Sequence, residues 1–176
     1  MTGALASAAR TSPYQGLRNY DEEDSEFFFG RDHERDVIIA NLKASRLTIL
    51  YGPSGVGKSS LLRAGVEATL LRAAVDSYSR VGTPEFVPVV FSSWQEDPLR
   101  GLAAAITSAV ERVTGEPLEP GASLADTIAA GGSAADATLL VILDQFEELS
   151  LYQRGRNGAS SLTRNCRAWS ATGGSR

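Results

Sequence analysis

The sequence predicts an α/β fold with a mainly parallel sheet, because apolar segments of strand length alternate with segments of helical periodicity. The predicted core strands are residues 47–51, 86–91 and 139–143. The third reads Leu-Leu-Val-Ile-Leu and is apolar throughout, which is typical of a parallel strand buried on both faces. Pro88 in the second strand favours an edge position or a bulge, since proline cannot donate to a ladder. About three strands predict an incomplete three-layer sandwich.

Four helices are predicted between and before these strands. The first runs from Asp32 to about residue 45, with acids in its first turn and an apolar stripe behind them. The second runs from Ser59 to about residue 74, and residues 75–85 are polar and turn-like. The third covers about residues 98–114 and the fourth, a short one, about 124–130.

Composition excludes several classes of function. A chain of 176 residues with 43% hydrophobic residues suits one globular domain. The net charge of −4 gives no electrostatic case for a nucleic-acid surface. One cysteine excludes a disulfide framework and a thiolate metal cluster, and one histidine excludes a zinc site built from several histidines. No apolar run is long enough to cross a bilayer. We therefore expect no membrane role and a cytoplasmic location.

A phosphate-binding loop follows the first predicted strand. Residues 52–59 match the pattern G-x-x-x-x-G-K-[ST], or Walker A. The glycines let backbone N–H groups turn inward, Lys58 supplies charge to the β- and γ-phosphates, and Ser59 supplies a hydroxyl to Mg²⁺. A chance match has odds on the order of one in a hundred, and the strand-to-helix context lowers them. The predicted nucleotide-binding residues are Gly52, Pro53, Ser54, Gly55, Val56, Gly57, Lys58, Ser59 and Ser60.

Acidic residues follow the third predicted strand. Asp144 stands at its carboxyl end, where ligands bind in open parallel sheets. As a Walker B acid it is predicted to hold Mg²⁺ through a water, or to support Ser59 in holding it. Glu147 and Glu148 are the candidates for the catalytic base that activates water, and Gln145 is a candidate for orienting it. The alternative for either glutamate is a solvated first turn of a helix.

Four motifs in this order resemble the novel STAND NTPase domain, a branch of the signal-transduction ATPases related to AAA+ proteins. They are Ser-Pro-Tyr-Gln-Gly-Leu from residue 12, Phe-Phe-Gly-Arg-Asp from residue 28, the P-loop with its helix, and Leu-Asp-Gln-Phe-Glu-Glu-Leu from residue 143. The resemblance implies a regulatory switch that binds ATP and Mg²⁺, self-associates, and works with other signalling domains. It also implies that Phe29, Gly30 and Arg31 form part of the pocket for the adenine base of the nucleotide. Core packing of the phenylalanine and a surface role for Arg31 are the alternatives.

The resemblance covers residues 13–152, after a leader at 1–12. Residues 153–176 contain five arginines and no acid, and show no periodicity. They are expected to be a disordered or frame-shifted tail on a truncated domain, and a basic tail that binds nucleic acid or membrane is the alternative. Three functions stay open: a STAND-type ATPase core, a nucleotide-binding interaction protein without turnover, and a small P-loop kinase. The third has less support, because no arginine-rich lid is found.

Overall fold

The computed structural model describes residues 30–95 and 97–153. The described residues form six α-helices, one π-helical segment and two strands. In chain order these are α1 (Asp32–Ala44), α2 (Lys58–Ser60), the π segment (Leu61–Glu67), α3 (Ala68–Val81), β1 (Phe86–Phe91), α4 (Pro98–Thr114), α5 (Leu124–Ala135), β2 (Thr138–Leu143) and α6 (Glu147–Gln153). None of these helices is long and apolar enough to span a bilayer. The predicted leader, the phenylalanines at 27–29 and the residues after 153 lie outside the described part.

The two strands pair in parallel, so the α/β class is confirmed. Phe86 lies opposite Thr138 and Phe91 opposite Leu143. Helices α4 and α5 form the crossover between the strands and pack against each other. The ladder continues past the strand ends, because Asp144 N donates to Phe91 O at 2.9 Å. The carboxyl ends of both strands therefore lie side by side.

Helices cover both faces of this small sheet. One face contributes Val87 and Val89 to an apolar cluster with α3, α4 and α5. The opposite face contributes Leu140 and Ile142 to a second cluster with α1 and the π segment. The alternation of side chains along each strand separates the two clusters.

Capping side chains mark the starts of α4 and α5. The carboxylate of Asp97 accepts from Arg100 N at 3.2 Å, with Pro98 as the first helical residue. The hydroxyl of Ser123 accepts from Asp126 N at 3.1 Å. Each bond satisfies a backbone donor that the first turn of a helix leaves open. The predicted β1 and α4 match the structure, and α5 extends five residues beyond its predicted end at 130.

The helix after the P-loop is longer and less regular than predicted. It runs without a break from Lys58 to Val81 through the π segment, so the prediction of a turn from residue 75 is wrong for residues 75–81. In its last turns Val75 and Tyr78 pack against the cluster that includes Val87 and Val89, and Gly82 ends the helix in the left-handed conformation. Packing therefore extends a helix into sequence whose polar composition indicated a turn.

The prediction of a core strand at residues 47–51 is not borne out. This segment forms no strand among the described residues, and the count of core strands is two. Ile49 is 80% exposed and Tyr51 94% exposed. A strand requires a neighbour that accepts and donates its backbone hydrogen bonds, and here β2 pairs with β1 alone among the described strands. Residues 47–51 are apolar in sequence, but no helix or strand in the described part of the chain packs over their side chains and shields them from solvent.

Candidate nucleotide-binding site

The P-loop joins the exposed segment 47–51 to the long helix. Gly55 and Gly57 both have positive φ, at 80° and 79°. Gly57 stands directly before Lys58 and accepts from Leu61 N at 2.9 Å, which starts the helix. A side chain at Gly57 would be strained, since this backbone conformation favours glycine. The loop thus turns sharply and ends on a helix N-terminus, as an anion site requires.

The ammonium group of Lys58 lies over its own loop. Its Nζ donates to Gly52 O and to Pro53 O, at 2.9 Å each. These contacts hold the cation at the mouth of the loop rather than in solvent. A phosphate oxygen there would compete with two neutral carbonyls, and a charge-assisted bond is the stronger one.

Ser59 and Asp144 meet across the site. Ser59 Oγ donates to Asp144 Oδ1 at 3.0 Å, although the two residues are 85 positions apart in the chain. Asp144 is 5% exposed, and its Oδ1 also accepts from Gln145 N at 3.0 Å. The hydroxyl and the carboxylate predicted for one metal site are therefore in direct contact.

Trp94 anchors the turn that carries Asp144. Its Nε1 donates to Asp144 O at 2.7 Å, and the residue is 3% exposed. Its ring packs edge-on against Phe91 and Phe146, with centroids 4.9 and 5.2 Å apart. Trp94 therefore contributes both aromatic packing and a hydrogen bond that the sequence did not reveal.

Arg31 reaches the P-loop from the start of α1. Its Nη1 donates to Val56 O at 2.8 Å, and its Nε contacts Glu34 Oε1 at 3.4 Å. The pKa of Glu34 is lowered by a hydrogen bond that its carboxylate accepts from the backbone N–H of Glu34 itself, and the nearby Arg31 lowers it further. Gly30 precedes Arg31, is exposed and has a φ of 88°. Arg31 thus lies beside the loop, while its role in the pocket for the adenine base stays a prediction.

The two candidate bases differ in exposure. Gln145 has a φ of 53°, which turns the chain sharply after Asp144, and α6 begins at Glu147. Glu147 is exposed and Glu148 is half-buried. Ser54 is exposed at the loop, and Ser60 is buried inside the helix. The half-buried Glu148 is the more sheltered of the two glutamates.

These groups suit a magnesium–nucleotide complex. Within residues 30–95 and 97–153, no three His, Cys, Asp or Glu side chains cluster as a self-sufficient metal site. Mg²⁺ is commonly held by one or two protein oxygens together with substrate phosphates and water, and Ser59 and Asp144 supply such a pair. Asp144 Oδ2 is buried and accepts no hydrogen bond from the described residues, so the carboxylate retains capacity as an acceptor.

The parallel α/β pairing is consistent with a P-loop NTPase, a class of nucleotide-binding proteins, and a family match supports that class. The family model described as Novel STAND NTPase 1 matches residues 13–168, and the chain belongs to that family. The predicted resemblance is confirmed, and the match continues beyond residue 152, where the predicted domain ends.

A shorter similarity links the chain to a curated protein that it resembles over part of its length. It is 46% identical over 41 residues to the phosphate import ATP-binding protein PstB of Salinibacter ruber. The matched part is 23% of this chain and 16% of that protein, so the chain spans a small share of its relative. No solved structure matches the chain.

Proposed function

We propose that this chain binds ATP with Mg²⁺ as the nucleotide-binding core of a STAND-type regulatory ATPase. The observation that carries the proposal is the 3.0 Å hydrogen bond between Ser59 Oγ and Asp144 Oδ1. A glycine-rich turn that matched the motif by chance would have no reason to contact a buried acid that follows a parallel strand.

The binding roles follow from the positions of the side chains. Backbone N–H groups of residues 54–60 and the helix N-terminus attract the phosphates, and Lys58 adds the attraction of a full positive charge. Ser59 and Asp144 hold Mg²⁺, which supplies Lewis-acid stabilisation of the phosphate charge when it is bound. Gly30 and Arg31 border the adenine base of the nucleotide. This role is supported by the hydrogen bond from Arg31 to the P-loop at Val56 O.

ATP is the nucleotide we propose, for two reasons. The family is one of NTPases, and the matching segment of PstB belongs to a protein described as ATP-binding. The chain also contains no N-K-x-D motif for reading guanine.

Within this proposal the complete fold is the P-loop three-layer sandwich, which is supported by the helices on both faces of the parallel pair. We also propose a cytoplasmic switch that associates with itself or with other signalling domains, as the family resemblance implies.

Equilibrium binding of a fluorescent ATP analogue with Mg²⁺ tests the binding step. Lys58→Ala should weaken binding by about thirtyfold or more, because it removes a charge that is hydrogen-bonded to phosphate. Lys43→Ala is a matched control, since Lys43 is the only other lysine in the sequence. It lies on α1, where its Nζ forms an ion pair with Glu85 Oε2 at 3.4 Å. Equal affinities in wild type and both variants would contradict the proposal.

Phosphate release tests turnover. We propose Glu148 as the base, because it is half-buried and Glu147 is exposed. Glu148→Gln should then lower the hydrolysis rate by about 100-fold or more and leave binding intact, whereas Glu147→Gln should change the rate little. The opposite ranking would assign the base to Glu147. Binding without any phosphate release in wild type would favour the interaction protein without turnover.

A further inference from the structure

Arg63 lies in the π segment, one turn beyond the P-loop. Its Nη2 donates to Ser92 Oγ at 2.6 Å, just after the end of β1. Its Nε lies 3.9 Å from Asp144 Oδ2. The guanidinium also borders a cleft of about 390 Å³ between the π segment, the end of β1 and α4. Single π turns in long helices are frequently found at functional sites, because they redirect side chains.

The two oxygens of Asp144 have different surroundings. Oδ1 accepts hydrogen bonds from Ser59 Oγ and Gln145 N. Oδ2 is buried and receives no hydrogen bond from any residue that the structure describes. A buried carboxylate oxygen without a donor is costly unless a positive charge lies near it. Arg63 is the cation recorded next to Oδ2, and its bond to Ser92 fixes where that cation lies.

We propose that Arg63 is a positioning residue for Asp144. It compensates Oδ2 from the side of β1 and thereby keeps Oδ1 directed at Ser59. The inference rests on the proposed function, since Asp144 and Ser59 form the proposed magnesium pair. The alternative is an ordinary long side chain on a helix surface, whose loss would affect stability without a specific effect on magnesium.

The charge of Arg63 could in principle oppose a nearby cation. The complex that binds is Mg²⁺ together with a nucleoside triphosphate, and its net charge is negative. An arginine close to that complex therefore does not repel it as a whole. Loss of the fixed carboxylate is the effect that remains, and it weakens magnesium-dependent binding.

The test compares nucleotide binding with and without magnesium. A fluorescent ATP analogue is titrated in EDTA, and Mg²⁺ is then titrated at a fixed analogue concentration. Arg63→Gln should raise the Mg²⁺ midpoint about five- to tenfold, the range expected for the loss of one ordinary polar contact, and change the affinity in EDTA by less than about twofold. Arg63→Lys should recover most of the loss. Arg72→Gln is the matched control, because Arg72 lies on the same helix and its Nε bonds Ala68 O.

A double-mutant comparison separates positioning from stability. In an Asp144→Asn background, Arg63→Gln should add less than about a twofold change in the Mg²⁺ midpoint, since the carboxylate that it positions is gone. Equal losses with and without Mg²⁺, or the same loss in the Asp144→Asn background, would overturn the inference.

Ser92→Ala tests the same geometry without touching the arginine. If Arg63→Gln does not fold, Ser92→Ala decides, because it removes the acceptor of the hydrogen bond from Arg63 Nη2. Ser92→Ala should raise the Mg²⁺ midpoint about two- to threefold and Ser93→Ala should not; equal midpoints for wild type and Ser92→Ala would overturn the inference. Failure of wild type to bind the analogue refutes the proposed function and this inference together. Binding that is unaffected at Arg63 refutes this inference only.

Discussion

Replacing Trp94 with phenylalanine removes one hydrogen bond and keeps an aromatic ring between its two aromatic neighbours. The lost bond is the 2.7 Å contact from Trp94 Nε1 to Asp144 O. A buried carbonyl that loses its donor costs about 1–3 kcal/mol. The smaller ring also leaves a void beside Phe91, which costs about 1 kcal/mol more. We therefore expect the free energy of unfolding to fall by about 2–4 kcal/mol.

Urea unfolding followed by far-ultraviolet circular dichroism measures this loss, because the signal does not depend on tryptophan. Phe146→Leu is the matched control: Phe146 is 53% exposed and packs edge-on against the indole, with ring centroids 5.2 Å apart. Loss of that edge contact should cost about 1 kcal/mol or less. A Trp94→Phe variant no less stable than Phe146→Leu would refute the argument that the indole N–H anchors the turn at Asp144.

Three further substitutions test other parts of the structure. Gly57→Ala should lower the free energy of unfolding in urea by about 1–2 kcal/mol, because φ is 79° at this position and the new Cβ would lie 3.4 Å from Arg31 Nη1. The same substitution should also weaken binding of the ATP analogue. Ile106→Ala should cost about 2–5 kcal/mol and Ile106→Val about 0.5–1.5 in the same assay, since Ile106 is fully buried. Ile49→Thr should change stability by less than about 0.5 kcal/mol, because Ile49 is 80% exposed, and a loss above 2 kcal/mol would place residues 47–51 in the core after all.

Local patterns in the sequence predicted most helices and both observed strands. β1 and β2 are short apolar runs between turns, and α4 has helical periodicity with a capping residue before it. Residues 47–51 carry the same kind of apolar pattern but form no strand in the structure. Periodicity reports what a segment would do beside a partner, and it contains no information on whether the partner is there.

The candidate site shows the same division. The motif and the acid after a buried run predicted that Ser59 and Asp144 belong to one site, and their side chains are in contact. The role of Arg63 and the hydrogen bond of Trp94 were not predicted. Arg63 is the one arginine of the apolar segment Leu61–Glu67, and its contacts depend on a π turn that leaves no composition signal. The hydrogen bond of Trp94 depends on a carbonyl 50 positions away in the chain.

The pairing of β1 with β2 has a consequence for how the chain is made. Phe86 pairs with Thr138, about fifty residues later, so β1 leaves the ribosome well before its partner exists. At synthesis rates of about 5–20 residues per second, the delay is several seconds. During that interval Phe-Val-Pro-Val-Val-Phe is an apolar strand without a partner, open to pairing with other nascent chains. Pro88 removes one backbone donor from its middle and acts as a gatekeeper until α4, α5 and β2 have followed.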